Sequence, residues 1–256
     1  MMQPLNTPIR NWSGRKVWLV GASSGIGLEL AHALHAAGAT VVVSARRDAP
    51  LQEFVQQHPG SHAVPLDVRD SDAVAQAASH VAQTVGIDVV VYCAGYYTPQ
   101  RAFDADLDSW LAHNDVNYQG ALRVIAHVVR RMQAGAHLSL VASVAGYRGL
   151  PLCVGYSPTK AALNNLADVL YLDLAPRGIG VSVINPGFVA TALTAQNEFH
   201  MPALLTPQQA ARAILRGWAD GDFEIHFPRR FSRLLKLLRV LPNRWYFWLL
   251  HRASGL

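Results

Sequence analysis

Short apolar runs alternate with amphipathic stretches along most of this chain. KVWLV (16–20), TVVVS (40–44), HAVPLDV (62–68), DVVVYCAG (88–95), HLSLVAS (137–143), GVSVINPG (180–187) and FEIHF (223–227) read as seven strands, rich in β-branched residues. Between them, apolar residues recur at helical spacing. LELAHALHAAG follows the first strand and stops at Gly38, a good residue just past a helix end. Further helices are expected over 48–58, over 70–85 with Asp70 or Ser71 as cap, over about 107–134, and over 206–221 with proline at the first position. YSPTKAALNNLADVLYLDL (156–174) carries Leu163, Leu166, Leu170 and Leu174 on one stripe, with Ala167 and Val169 filling in.

Near-continuous apolar strands alternating with helices predict a parallel sheet covered on both faces. No linker or repeat interrupts the alternation. One doubly wound α/β domain is expected over 15–228, with an N-terminal extension at 1–14 and a separate tail at 229–256.

Composition adjusts this picture in two ways. At 51% hydrophobic and 15% charged, the 256 residues can build a large core. Cys93 and Cys153 are the only cysteines, so no disulfide framework or metal-ligand pattern is expected. The net charge of +5 is unevenly placed. No acidic residue follows Glu224, whereas Arg229, Arg230, Arg233, Lys236, Arg239, Arg244 and Arg252 do. These cations exceed the net charge, so the body before them is slightly acidic. That distribution argues against general nucleic-acid binding. The first residues carry no apolar signal core, and no run reaches the roughly 18 apolar residues of a membrane span. A cytoplasmic protein is expected, peripheral at the inner face of a membrane if the tail binds lipid.

The chemistry begins with GASSGIG between the first strand and the first helix. Glycines there permit a tight turn and close approach to a pyrophosphate, which the helix N-terminus favours electrostatically. The spacing is GxxxGxG, not the commoner GxGxxG, and many strand-to-helix turns contain glycine. The second strand ends SARR, without the acid that usually holds an NAD ribose. Arginine can pair a 2′-phosphate, which favours NADP(H) over NAD(H); an ordinary solvated turn is the other reading. Tyr156 and Lys160 stand four residues apart, so they share one helix face. Alone, they could equally be an amphipathic helix start with a snorkelling lysine.

Taken together, these stretches resemble the classical short-chain dehydrogenases/reductases from residue 15 to about 192. The resemblance rests on GASSGIG, CAG after the fourth strand, Asn117 in NYQG, Ser143 in SVAG, YSPTK and NPGFVAT, in that order. It implies a Rossmann fold and a role for each matched position. Tyr156 would be the general acid/base. Lys160 would favour its phenolate and hold the nicotinamide ribose. Ser143 would bind the substrate oxygen, and Asn117 would hold a water connecting Lys160 to bulk proton exchange. Gly21, Ser23, Ser24, Gly25, Ile26 and Gly27 would form the cofactor loop, with Arg46 at the 2′-phosphate. Asp67 and Val68 would line the adenine pocket. Ala94 and Gly95 would press against the cofactor, and Pro186, Gly187, Val189 and Thr191 would flank the nicotinamide and its phosphates. Homo-oligomers through the long helices are implied too. Cys93 departs from the family pattern, standing where asparagine is common, and Val20 stands where a threonine leads the glycine motif.

The tail departs further. Phe231, Leu234, Leu235, Leu237, Leu238 and Leu241 fill one helical arc; Ser232, Arg233, Lys236 and Arg239 fill the other, with Val240 as the exception. Pro242 ends that helix, and WYFWLL follows. A basic amphipathic helix beside Trp and Tyr reads as a membrane-surface segment over 229–252. A subunit contact and a flap over the domain's own cleft are the alternatives. The expected activity is interconversion of a ketone and a secondary alcohol on a small hydrophobic, lipid-like substrate. A catalytically silent nucleotide-binding scaffold or sensor at a membrane surface is the rival reading. A sugar-nucleotide epimerase or dehydratase is disfavoured, because too few residues remain for its substrate domain.

Overall fold

The computed structural model describes residues 3–104 and 106–254; residues 1–2 and 255–256 of the expected extensions lie outside the described residues. Seven parallel strands form one sheet in the order β3-β2-β1-β4-β5-β6-β7. They are β1 (Lys16–Val20), β2 (Thr40–Ser44), β3 (His62–Ala63), β4 (Val89–Tyr92), β5 (His137–Val141), β6 (Gly180–Pro186) and β7 (Glu224–Phe227). The helices are α1 (Gly25–Ala36), α2 (Asp48–Gln57), α3 (Ser71–Thr84), α4 (Leu107–Asn114), α5 (Gly120–Val128), α6 (Tyr156–Leu174), α7 (Pro207–Asp220), α8 (Arg229–Arg239) and α9 (Asn243–Ser254).

Alternate strand residues point to opposite faces, and the sheet accordingly carries two cores. Trp18, Val20, Val90, Tyr92, Leu138 and Leu140 pack on one side with α3, α5 and α6 residues. Val17, Leu19, Val41, Val43, Val89 and Val91 pack on the other with α1, α2 and α7 residues. The N-terminal segment joins this second core: Ile9 and Trp12 are buried, and the Trp12 ring lies 5.2 Å from Trp218. Asn6 fastens it, donating to Val181 O at 2.8 Å and accepting from Val181 N at 3.0 Å.

Three expectations need correction. The third strand shrinks to His62–Ala63. Val64 and Leu66 still donate to Val43 O and Ala45 O, but Pro65 between them has no N–H to give. The long helix over 107–134 breaks into α4, a π-helical turn at Asp115–Gln119, α5 and a 3-10 turn at Val129–Arg131. The Tyr92 hydroxyl donates to Val116 O inside that turn, giving a carbonyl of the interrupted ladder a partner from the sheet. In α6, Val169 is 48% exposed and does not share the buried stripe of Lys160, Leu163, Ala167 and Leu174. Two positions from Ala167 it lies roughly 200° around the helix, on the outer face beside exposed Leu172.

Candidate active site

The carboxyl ends of β1, β4, β5 and β6 open onto one cavity of about 1110 Å³. Its floor is the first strand-to-helix turn. Gly21 has φ +98°, and a Cβ there would stand 2.3 Å from Ala94 N; a Cβ on Gly27 would stand 2.2 Å from Gly21 O. Only glycine lets β1, the turn and the end of β4 approach this closely. Ser24, at the N-cap of α1, makes no side-chain capping bond, and the first turn of α1 holds no acidic residue. The N–H groups and positive end of α1 are therefore available to an anion.

The cavity brings together nearly every residue singled out in the sequence. Gly21, Ser23, Ser24, Gly25, Ile26 and Gly27 line it, as do Arg46, Asp67, Val68, Ala94 and Gly95. Ser143, Tyr156, Lys160, Pro186, Gly187, Val189 and Thr191 line it as well. Asn117 is the exception: it is fully buried behind the wall, on the π-helical turn. Its Oδ1 accepts from Tyr96 N at 2.7 Å, and its Nδ2 donates to Tyr96 O and to Thr159 Oγ1, each at 3.0 Å. It thus pins the chain after Gly95 to the start of α6. The Arg46 end is exposed and basic; there Arg69 grips Asp67 through both carboxylate oxygens, with the shortest contact at 2.6 Å. That pair holds the Asp67 carboxyl below its usual range.

The opposite end gathers the ionisable pair Tyr156 and Lys160 beside Ser143. Lys160 is buried, and its Nζ donates to Val141 O at 2.9 Å. It lies 5.5 Å from the centre of the Tyr156 ring. Burial lowers the Lys160 pKa to about 8. Burial raises that of Tyr156, with the Ser143 hydroxyl pulling the other way. Near neutral pH this pair is a phenol beside an ammonium, the arrangement of a proton donor. Ser143 is held through backbone and side chain: its N–H donates to Asn185 Oδ1 at 3.1 Å, and its Oγ accepts from Ala145 N at 3.1 Å. Burial pushes the Cys93 thiol up to about 11, which disfavours the thiolate.

Several neighbours escaped the sequence reading. The Tyr97 ring stands edge-on to Tyr156 at 4.9 Å, and its hydroxyl donates to Asn197 Oδ1 at 2.8 Å, latching the 188–205 segment over the cavity. Nothing in the local pattern of Tyr97 marks it. Asn185 did carry a signal: an amide at the end of an apolar strand requires buried partners. The tail also enters the site, since Phe231 and Leu235 of α8 and Leu250 of α9 line the cavity with Leu150, Leu152, Phe188 and Phe199.

Known proteins resemble this chain in sequence and in fold. The family model described as short chain dehydrogenase matches residues 15–201. The chain belongs to the short chain dehydrogenase family. It is therefore an oxidoreductase of CH–OH and C=O groups. A curated relative from Myxococcus xanthus, named an uncharacterized oxidoreductase, is 34% identical over 238 residues, 90% of this chain and 94% of that protein. Another uncharacterized oxidoreductase, from Staphylococcus aureus, is 34% identical over 202 residues, 77% of this chain and 87% of that protein. Among solved structures, a dehydrogenase/reductase from Sinorhizobium meliloti superposes with a TM-score of 0.75 at 25% identity, covering 87% of this chain and 95% of that one. A short chain dehydrogenase from Burkholderia cenocepacia, solved in complex with NADP, superposes at 0.82 with 24% identity, over 95% of this chain and 98% of that one. At that identity the match establishes the fold.

The glycine cradle, the uncapped N-terminus of α1 and the basic Arg46 end fit a nicotinamide dinucleotide. Among the described residues, no helix is long and apolar enough to cross a membrane.

Proposed function

We propose that this protein is an NADP(H)-dependent oxidoreductase that interconverts a ketone and a secondary alcohol on a hydrophobic, lipid-like substrate. The observation that carries this reading is the single cavity joining a phosphate cradle to Tyr156, Lys160 and Ser143. Ser143 binds the substrate oxygen and offers its hydroxyl to the charge developing there. Tyr156, kept neutral by burial, gives its proton to that oxygen in reduction and takes it back in oxidation. The Lys160 ammonium favours the phenolate left behind. Gly21, Ser23, Ser24, Gly25, Ile26 and Gly27 hold the pyrophosphate, with Ala94, Gly95, Pro186, Gly187, Val189 and Thr191 closing around the rest; Asp67 and Val68 wall the adenine. When bound, the nicotinamide supplies or accepts the hydride. Arg46 pairs the 2′-phosphate, and this contact separates NADPH from NADH.

The substrate class follows from the other half of the cavity. Leu150, Leu152, Phe188, Phe199, Phe231 and Leu235 offer an apolar chamber, while polar groups gather at the Tyr156 end. Exposed Leu107, Leu111, Val169 and Leu172 on α4 and α6 supply a face for homo-oligomers. The tail supports residence at a membrane surface, because its outward side is both apolar and basic. Assay of purified protein with NADPH and a panel of aliphatic ketones of increasing chain length tests the main reading. Turnover that rises with chain length supports it. Failure on every ketone and alcohol, with NADPH still bound, would leave the silent scaffold standing.

A further inference from the structure

Helix α8 docks through a polar edge as well as through Phe231 and Leu235, and the polar edge leads to Ser143. Ser232 is buried against β7 through a hydrogen bond with His226 at 2.7 Å. One turn on, Lys236 Nζ donates to Glu224 Oε2 at 2.6 Å. The other oxygen of Glu224 accepts from the Tyr147 hydroxyl and, at 3.0 Å, from Asn185 Nδ2. Asn185 Oδ1 is the acceptor for Ser143 N–H. A continuous chain of side chains therefore runs from the tail helix to the backbone of the serine. A second fastening lies beside it. The Arg148 guanidinium donates to Leu238 O, Arg239 O and Leu241 O, at 3.2, 3.2 and 2.7 Å, and sits 3.8 Å over the Tyr246 ring. The Tyr246 hydroxyl donates to Gly149 O at 2.8 Å. Of the segment between Ser143 and Tyr156, Arg148 and Gly149 are thus bonded to the tail directly, and Tyr147 through Glu224.

We infer that Glu224 is a positioning residue: its carboxylate couples the docking of α8 to the placement of Ser143, so that the helix walling the substrate chamber also sets the oxygen-binding serine. A carboxylate is suited to this hub. Its two oxygens accept from an ammonium, a phenol and an amide together, and a half-buried acid needs such partners. Phe231 and Leu235 line the chamber from the same helix whose Lys236 is tied to Glu224. Movement of α8 therefore opens the chamber and slackens the serine in one event. The functional meaning rests on the role of Ser143 proposed above; the mechanical coupling does not.

The test uses the full chain and three variants: Lys236→Met, Glu224→Gln and Lys236→Arg. Amide hydrogen exchange is followed over 143–149, over α8 and over α1 as reference. Faster exchange over 143–149 and α8 is expected in Lys236→Met and Glu224→Gln, with α1 unchanged, and Lys236→Arg should restore protection. In NADPH-driven reduction of 2-undecanone, both disrupted variants should lose about 2–30-fold in kcat, with NADPH affinity kept. Unchanged exchange over 143–149 overturns the inference, whether or not α8 loosens, and so does a uniform rise that includes α1. Lys236→Met removes only a half-buried end group, so it keeps the test decisive should Glu224→Gln fold poorly. If the wild-type protein reduces no ketone, the proposed activity fails while the exchange result still decides the coupling.

Discussion

At the scale of single residues, the competition between burial and charge sets the behaviour of Tyr156 and Lys160. Tyr156→Phe should fold and bind NADPH, yet lose about 10²–10⁴-fold in ketone reduction, because only the acid/base group is removed. Retained activity on a confirmed substrate would mean that another group gives the proton. Lys160 yields a pH prediction. Its charge is lost as pH rises through about 8, so kcat/KM for reduction should decline above that point; a profile flat to pH 10 would contradict the assignment. The stability consequence has a definite sign. Between about 8 and 10.5 the unfolded chain holds a proton on Lys160 that the folded chain does not, so the stability of the wild type relative to Lys160→Met should rise across that window. Arg46→Ala should weaken NADPH more than NADH by about 1.5–3 kcal/mol, measured by titration of both; equal losses would remove the 2′-phosphate contact. The Tyr156–Lys160 pair was legible in sequence because i and i+4 on a helix leave a local signature. Tyr97, Arg148 and Glu224 were not, since their partners are remote: Tyr97 meets Asn197, Arg148 meets the end of α8, and Glu224 meets Asn185 and Tyr147.

At the scale of elements, periodicity predicted the kind of each segment better than its extent. The boundaries of β1, β2 and α6 match the sequence reading because apolar pattern and turn residues agree there. The break at Asp115–Gln119 was hidden, because a π-helical turn preserves helical spacing on both sides and its hydrogen-bond partner, Tyr92, comes from β4. End signals read more reliably. Thr206 forms a capping box with Gln209 at the start of α7, its Oγ1 accepting from Gln209 N at 3.2 Å. Thr206→Ala should cost about 0.5–2 kcal/mol in urea unfolding and leave NADPH binding unchanged. A loss of NADPH affinity would mean that α7 reaches the site. The helical wheel of α8 sorted its arcs correctly but could not say which one faces the body. Each arc is split: Ser232 and Lys236 from one and Phe231 and Leu235 from the other lie inward, while Leu234 and Leu237 lie outward with Arg233 and Arg239.

At the scale of the whole molecule, that split docking leaves part of the tail's apolar side chains exposed. Leu237 is 62% exposed and Trp245 61%, with Phe247 and Trp248 also exposed. Arg230, Arg233, Arg239, Arg244 and Arg252 are exposed around them, and no acid follows Glu224. Apolar and aromatic side chains ringed by cations are the makings of an interfacial segment, in which the apolar side sinks and the cations meet anionic headgroups. Each basic residue near such a surface adds roughly 1 kcal/mol before screening, so binding should weaken with salt. The wild-type protein is therefore expected to sediment with vesicles containing phosphatidylserine at low salt and to be released as salt rises. Trp245→Ser/Trp248→Ser removes exposed rings outside the lining of the active-site cavity, so the fold and NADPH binding should persist while sedimentation falls. Deleting residues 229–256 should abolish sedimentation too, but it also removes the chamber wall and leaves Glu224 and Arg148 without their tail partners. A collapse of ketone turnover with the nucleotide half intact is expected from that deletion alone. If the wild type ignores vesicles of every composition, the lipid reading fails. If the double variant instead halves the particle mass in solution, the same apolar face is a contact between copies of the chain.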